Sequence, residues 1–207
     1  QGQRKVMEDM HVIVRLDADA GVQHTPGAVR AGRGLALAGV FDGHGGDKTA
    51  KHAARNLPAL VHSELMEQGL YQQLSGAAPA AGACAGCEAL RASFAGFDRW
   101  WSNSGARYDP ETKKWDGSGS TAVVGLVHGA RLLVANAGDS AALLVRGGGV
   151  TRLSTEHKLT NAAEAERVVQ EGGLLVEGGR RLKAHKHDLT SINLTRCVRG
   201  CTSAPRV

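Results

Sequence analysis

Four cysteines in 207 residues are too few to staple a fold of this size. A disulfide scaffold is excluded, and an intracellular setting, cytoplasmic or nuclear, is expected. Cys84 and Cys87 stand at C-x-x-C spacing, but Cys197 and Cys201 lie far off and more loosely spaced, so free thiols are the simpler reading than a zinc site. No apolar run is long enough to span a bilayer, and no signal peptide opens the chain. Aromatic residues make up only 4%, and none occurs in residues 178–207, where seven Lys or Arg stand against Asp188 alone. That segment carries +6 against a net charge of +5 for the whole chain. Without interleaved aromatics it reads as a solvated end, with a patch for an acidic partner as the alternative; nucleic acid is disfavoured. Aspartates are also scarce late in the chain. Asp188 is the only Asp after Asp139, and no Asp-Asn pair occurs anywhere. The chain opens on Gln1 rather than Met, so an incomplete N-terminus is expected.

What is abundant is apolar residue, 42% of the chain, and glycine, 28 residues. This suits one globular domain with a real core. The stretch that organises the rest is Val40-Phe41-Asp42-Gly43-His44-Gly45-Gly46. An apolar run from Leu35 to Phe41 precedes it, as in a buried strand, and a helical pattern follows from Asp47. Asp42 and His44 therefore sit on a turn leaving a strand. The three glycines permit close backbone approach. Asp is a hard oxygen ligand for Mg2+ or Mn2+, and His can exchange a proton near neutral pH. The plain alternative is a glycine-rich turn with a surface histidine.

Phe41-Asp42-Gly43-His44-Gly45-Gly46 resembles the signature of metal-dependent Ser/Thr protein phosphatases of the PP2C (PPM) family. Four further stretches follow the family's order: Gln1-Gly2-Gln3-Arg4 with Met7-Glu8-Asp9-Met10-His11, then Gly117-Ser118-Gly119-Ser120-Thr121-Ala122, Ala135-Asn136-Ala137-Gly138-Asp139-Ser140, and Leu153-Ser154-Thr155-Glu156-His157-Lys158. The resemblance covers about residues 1–173 of a single domain 1–207, and leaves 174–207 as a divergent basic tail. It implies an α+β fold, a four-layer αββα sandwich of antiparallel sheets flanked by helices, incomplete at the C-terminus.

It also implies roles. Asp42 and the Gly43 carbonyl would hold metal directly, Glu8 and Asp9 largely through water. Arg4 would bind the phosphate with its planar fork. His44 would protonate the departing Ser or Thr oxygen while a metal-activated water attacks phosphorus in line. Asp139 is either the ligand of an additional, weaker metal or a turn-stabilising residue, and both readings stand.

Taken in order, His11 to Leu16 alternates as a half-buried strand, and residues 17–34 read as a loop. Ala50, Ala53, Ala54, Leu57, Leu60, Val61 and Leu65 repeat at helical spacing, with Pro58 expected to kink or divide that helix. Leu90, Phe94, Phe97 and Trp101 mark a second helix. Residues 120–154 read as an antiparallel meander. Asn161 with Glu164 looks like a capping box, with Ala165, Val168 and Val169 facing inward.

The family supplies two further metal-binding aspartates late in its domain, in Asp-Gly and Asp-Asn contexts that Asp188 does not reproduce. Two readings follow. One is a Ser/Thr phosphatase acting on phosphoproteins, with two ions in the family and one or none here. The other is a pseudophosphatase, a binding subunit whose protein partner covers an open sheet edge.

Overall fold

A computed structural model describes residues 6–24, 35–69, 85–128, 131–176 and 181–183. Arg4, Cys84, Asp188, Cys197, Cys201 and nearly all of the basic tail lie outside them.

Strand β1 (Met10–Asp17) turns back into β2 (Gly21–His24), within the stretch expected to be loop. Strand β3 (Leu35–Phe41) lies antiparallel to β1, and β8 (Ala122–His128) antiparallel to β3. With β9 (Arg131–Ala137) they form one five-stranded antiparallel sheet in the order β2-β1-β3-β8-β9. The period-2 pattern is kept. Val12, Val14 and Leu16 of β1 and Leu35, Leu37 and Phe41 of β3 are buried. On the opposite face Ile13, Val40, Val127 and Leu132 are exposed.

Helices α1 (Lys48–Glu67) and α2 (Ala85–Ser102) complete that core. Ala50, Ala53, Leu57, Val61 and Leu65 of α1 are fully buried, as are the four apolar residues that mark α2. Pro58 does not divide α1, which runs unbroken through it. An interior proline costs on the order of 3 kcal/mol, and here its buried ring joins the apolar stripe that offsets the loss.

A short hairpin, β5 (Tyr108–Asp109) and β6 (Lys114–Trp115), follows α2. The expected meander holds for β8 and β9 but breaks after Ala137. Strands β10 (Leu143–Arg146) and β11 (Gly149–Arg152) form a separate hairpin. The chain is led off the sheet because Ser140 and Gly138 are bonded elsewhere, to Thr121 and His157 respectively. Helix α3 (Ala162–Gln170) starts at Asn161, whose side chain accepts from the Ala163 amide. The Asn161 N–H, which a capping box would use, donates to the Lys158 carbonyl at 2.9 Å, and Glu164 pairs with Arg167 at 3.1 Å. Val168 is buried, whereas Val169, one position and about 100° further round the helix, is exposed rather than inward. A last hairpin joins β12 (Leu174–Val176) to β13 (Arg181–Lys183), inside the segment read as a divergent tail. Antiparallel sheets and flanking helices thus stand as expected, and among the described residues the strands outside the five-stranded sheet are joined only in separate pairs.

One titratable group sits against this core. His52 stacks on Trp101 with ring centroids 4.4 Å apart. Burial, with Arg55 nearby, holds its pKa below the ordinary value. Between that lowered pKa and about 6.5 the unfolded chain binds more protons than the folded one, so stability falls as pH drops through this window. Thermal unfolding followed by circular dichroism from about pH 7.5 to about 5.5 should show Tm falling. His52→Gln should have a shallower slope than wild type. Parallel slopes would show that His52 contributes nothing.

Candidate active site

The site is assembled where β3 gives way to β4 (Gly43–His44), and β4 pairs antiparallel with β7 (Gly119–Ser120). Gly43 lies opposite Ser120, and His44 opposite Gly119. Between β3 and β4, Asp42 has its backbone held on both sides. Its N–H donates to Thr121 Oγ1 at 3.1 Å, and its carbonyl accepts from the Thr121 N–H at 2.9 Å. The Asp42 residue itself is exposed, as a ligand or substrate-facing group requires.

Two close approaches explain glycines here. A Cβ on Gly43 would come within 2.4 Å of the Glu8 carbonyl oxygen. A Cβ on Gly119 would come within 2.3 Å of His44 Nε2, so the imidazole edge rests against that bare α-carbon. Glu8 closes the turn from the other side, its Oε1 accepting from the Gly46 N–H at 2.8 Å. Asp9 is exposed beside it in sequence.

Asp139 lies in the loop after β9. Its Oδ2 stands 3.1 Å from Lys158 Nζ, and the hydrogen bond and charge of Asp139 hold Lys158 above its ordinary pKa. The loop is pinned by Asn136, which donates to the Thr155 carbonyl at 2.8 Å, and by the Gly138 N–H, which donates to His157 Nδ1 at 3.1 Å. Ser140 Oγ lies 2.7 Å from Thr121 Oγ1, so one hydroxyl ties this loop to the Asp42 turn. Thr121 and Lys158 were not among the expected site residues. Their signal was present all the same, since both stand inside stretches already singled out.

The Protein phosphatase 2C family model matches residues 1–197. The chain belongs to that family. It is 38% identical to the rice (Oryza sativa subsp. japonica) "Probable protein phosphatase 2C 68", covering 87% of this chain and 49% of the relative. It is 31% identical to "Protein phosphatase 2C homolog 2" of Schizosaccharomyces pombe, covering 84% and 40%. Among solved structures, the serine-threonine phosphatase 2C of Toxoplasma gondii aligns over 97% of this chain and 65% of its own, with a TM-score of 0.60 and 19% identity, a likeness of fold. The chain therefore spans about half the length, or less, of these curated relatives.

PP2C phosphatases are metal-dependent. The donors at this site are all oxygens, Asp42 and the Gly43 carbonyl with Glu8 and Asp9 nearby, and oxygen is the donor a hard divalent cation takes. The fit is one of kind and not of number. Among the described residues no three His, Cys, Asp or Glu side chains converge as a group able to hold an ion. Glu8, Asp9, Asp42 and Asp139 are thus not gathered into one cluster. Glu8 spends an oxygen on the Gly46 amide, and Asp139 is paired with Lys158. Arg4 lies outside the described residues.

The two glycine contacts differ in what must yield. At Gly43 the obstacle is backbone, while at Gly119 it is a ring that can rotate. Gly43→Ala should cost about 1–3 kcal/mol, and Gly119→Ala under about 1 kcal/mol while displacing His44. Urea denaturation of both variants tests this. A larger loss for Gly119→Ala would refute the close approach at Gly43.

Proposed function

We propose that this chain carries the catalytic apparatus of a protein Ser/Thr phosphatase that hydrolyses phosphoserine and phosphothreonine in phosphoprotein substrates. The observation that carries the reading is the pairing of β4 with β7, which sets His44 against Gly119 one residue from a clamped Asp42 turn, in a chain of the PP2C family. His44 gives its proton to the departing Ser or Thr oxygen, and Arg4 orients the phosphate. Asp42 and Gly43 are the residues we assign to Mg2+ or Mn2+; Glu8 and Asp9 would act on the ion through water. When bound, such an ion acidifies water and neutralises phosphate charge. Asp139 is an ion-pair partner of Lys158 first, and a further metal ligand only where the cation displaces that ammonium.

We take residues 1–207 as one domain and the protein as intracellular. The low cysteine count supports that setting. No described helix is long and apolar enough to cross a membrane.

Two measurements test the reading. His44→Gln should slow turnover of a phosphoserine peptide by about 10²-fold or more, and of p-nitrophenyl phosphate far less, because an alkoxide needs a proton to leave and nitrophenolate does not. Equal losses on both substrates would make His44 structural.

Asp42→Asn removes the one carboxylate on the turn. Calorimetric titration with Mn2+ should show binding to wild type and none to this variant. Unchanged affinity would remove Asp42 from the metal assignment.

A further inference from the structure

The site is joined to the far end of α2 by a chain of buried hydrogen bonds that the proposed chemistry does not use. Trp101 is fully buried, and its Nε1–H donates to Thr49 Oγ1 at 2.8 Å. The Thr49 hydroxyl can then donate to the Ser118 carbonyl at 2.9 Å, while the Thr49 N–H donates to Ser118 Oγ at 3.1 Å. Ser118 Oγ–H in turn donates to Asp116 Oδ1, which also accepts the Ser118 N–H at 2.9 Å. The Thr49 hydroxyl also lies 2.9 Å from Ser118 Oγ, so with Ser118 donating to Asp116 the donors run one way, from indole to carboxylate. Thr49 and Ser118 are buried together with Trp101, so water is kept from the bonds among these three, while Asp116 is half-buried. The indole plane is itself fixed by its stack on His52.

The two middle links of this chain lie next to the site. Ser118 immediately precedes Gly119, the residue against which the His44 ring rests. Thr49 stands in the first turn of α1, just after the Gly45-Gly46 turn that follows His44. The bonds therefore fix the two segments that meet at the imidazole relative to each other.

We propose that Trp101 is a positioning residue that acts through Thr49 and Ser118 to set the Gly119 backbone beneath the His44 imidazole. It touches neither substrate nor metal, and its effect on turnover rests on the reading of His44 as proton donor. A displacement of a fraction of an ångström at Gly119 alters where the ring can sit, and catalytic groups are sensitive to errors of that size.

Nuclear Overhauser contacts between the His44 ring protons and the Gly119 α-protons, measured on the 207-residue chain, read the geometry without requiring activity. Thr49→Val removes the central hydroxyl, and Trp101→Phe removes the indole donor. Thr49→Ser keeps the hydroxyl, and Phe97→Leu is a core control beside Trp101. Thr49→Val and Trp101→Phe should weaken the contact, Thr49→Ser should restore it, and Phe97→Leu should retain it at comparable loss of Tm. On a phosphoserine peptide, Thr49→Val should lower kcat about tenfold with KM nearly unchanged. A wild-type contact in folded Thr49→Val, or an equal loss in Phe97→Leu, would overturn the proposal. A wild-type chain without turnover would instead count against the phosphatase reading, and the ring contact would still decide this one.

Discussion

The pair of bonds that Thr121 makes to the Asp42 backbone, one through its hydroxyl and one through its amide, is the constraint on which the rest of the site depends. A turn built largely of glycine has no side chains of its own to stiffen it. Its rigidity is borrowed from the strand beside it, through the Asp42–Thr121 pair and the β4–β7 ladder that continues it. The same threonine hydroxyl reaches Ser140. One residue thus holds the Asp42 turn and the Asp139 loop in a common frame, and either would drift without it.

Much of this was legible in the residues. Alternation along β1, the apolar run of β3 and the spacing of Leu57, Val61 and Leu65 are direct imprints of burial, and each maps onto a buried face. What was not legible came from competition between local preference and tertiary context. Pro58 breaks helices in isolation, but a buried stripe on both sides of it kept α1 whole. Val169 is as apolar as Val168, and only helical phase against a partner decides which one turns inward. The break in the meander was set by side chains of Thr121 and His157, distant in sequence from Ser140 and Gly138, which no local pattern encodes.

At the site itself the sequence identified residue types better than their assembly. Asp42 follows β3 directly with its backbone clamped, but Gly43 and His44 form the short strand β4 where a turn was expected. Glu8, Asp9 and Asp139 read equally well as ligands, yet Glu8 bonds the Gly46 amide and Asp139 an ammonium. A carboxylate satisfies whichever donor is nearest. Composition cannot say whether that donor is a backbone N–H, a lysine or a cation.

The pairing of β3 with β8 also has a kinetic side. The Asp42–Thr121 bond closes a separation of 79 residues, and the helices α1 and α2 lie within that span. Helices and the β1–β2 hairpin can form from local contacts in microseconds, whereas the centre of the sheet must wait for a long loop to close. A chain emerging from the ribosome therefore possesses Asp42 and His44 long before it possesses the strand that orders them. The reactive turn can take its shape only once that long loop has closed, and until then its glycines leave it formless.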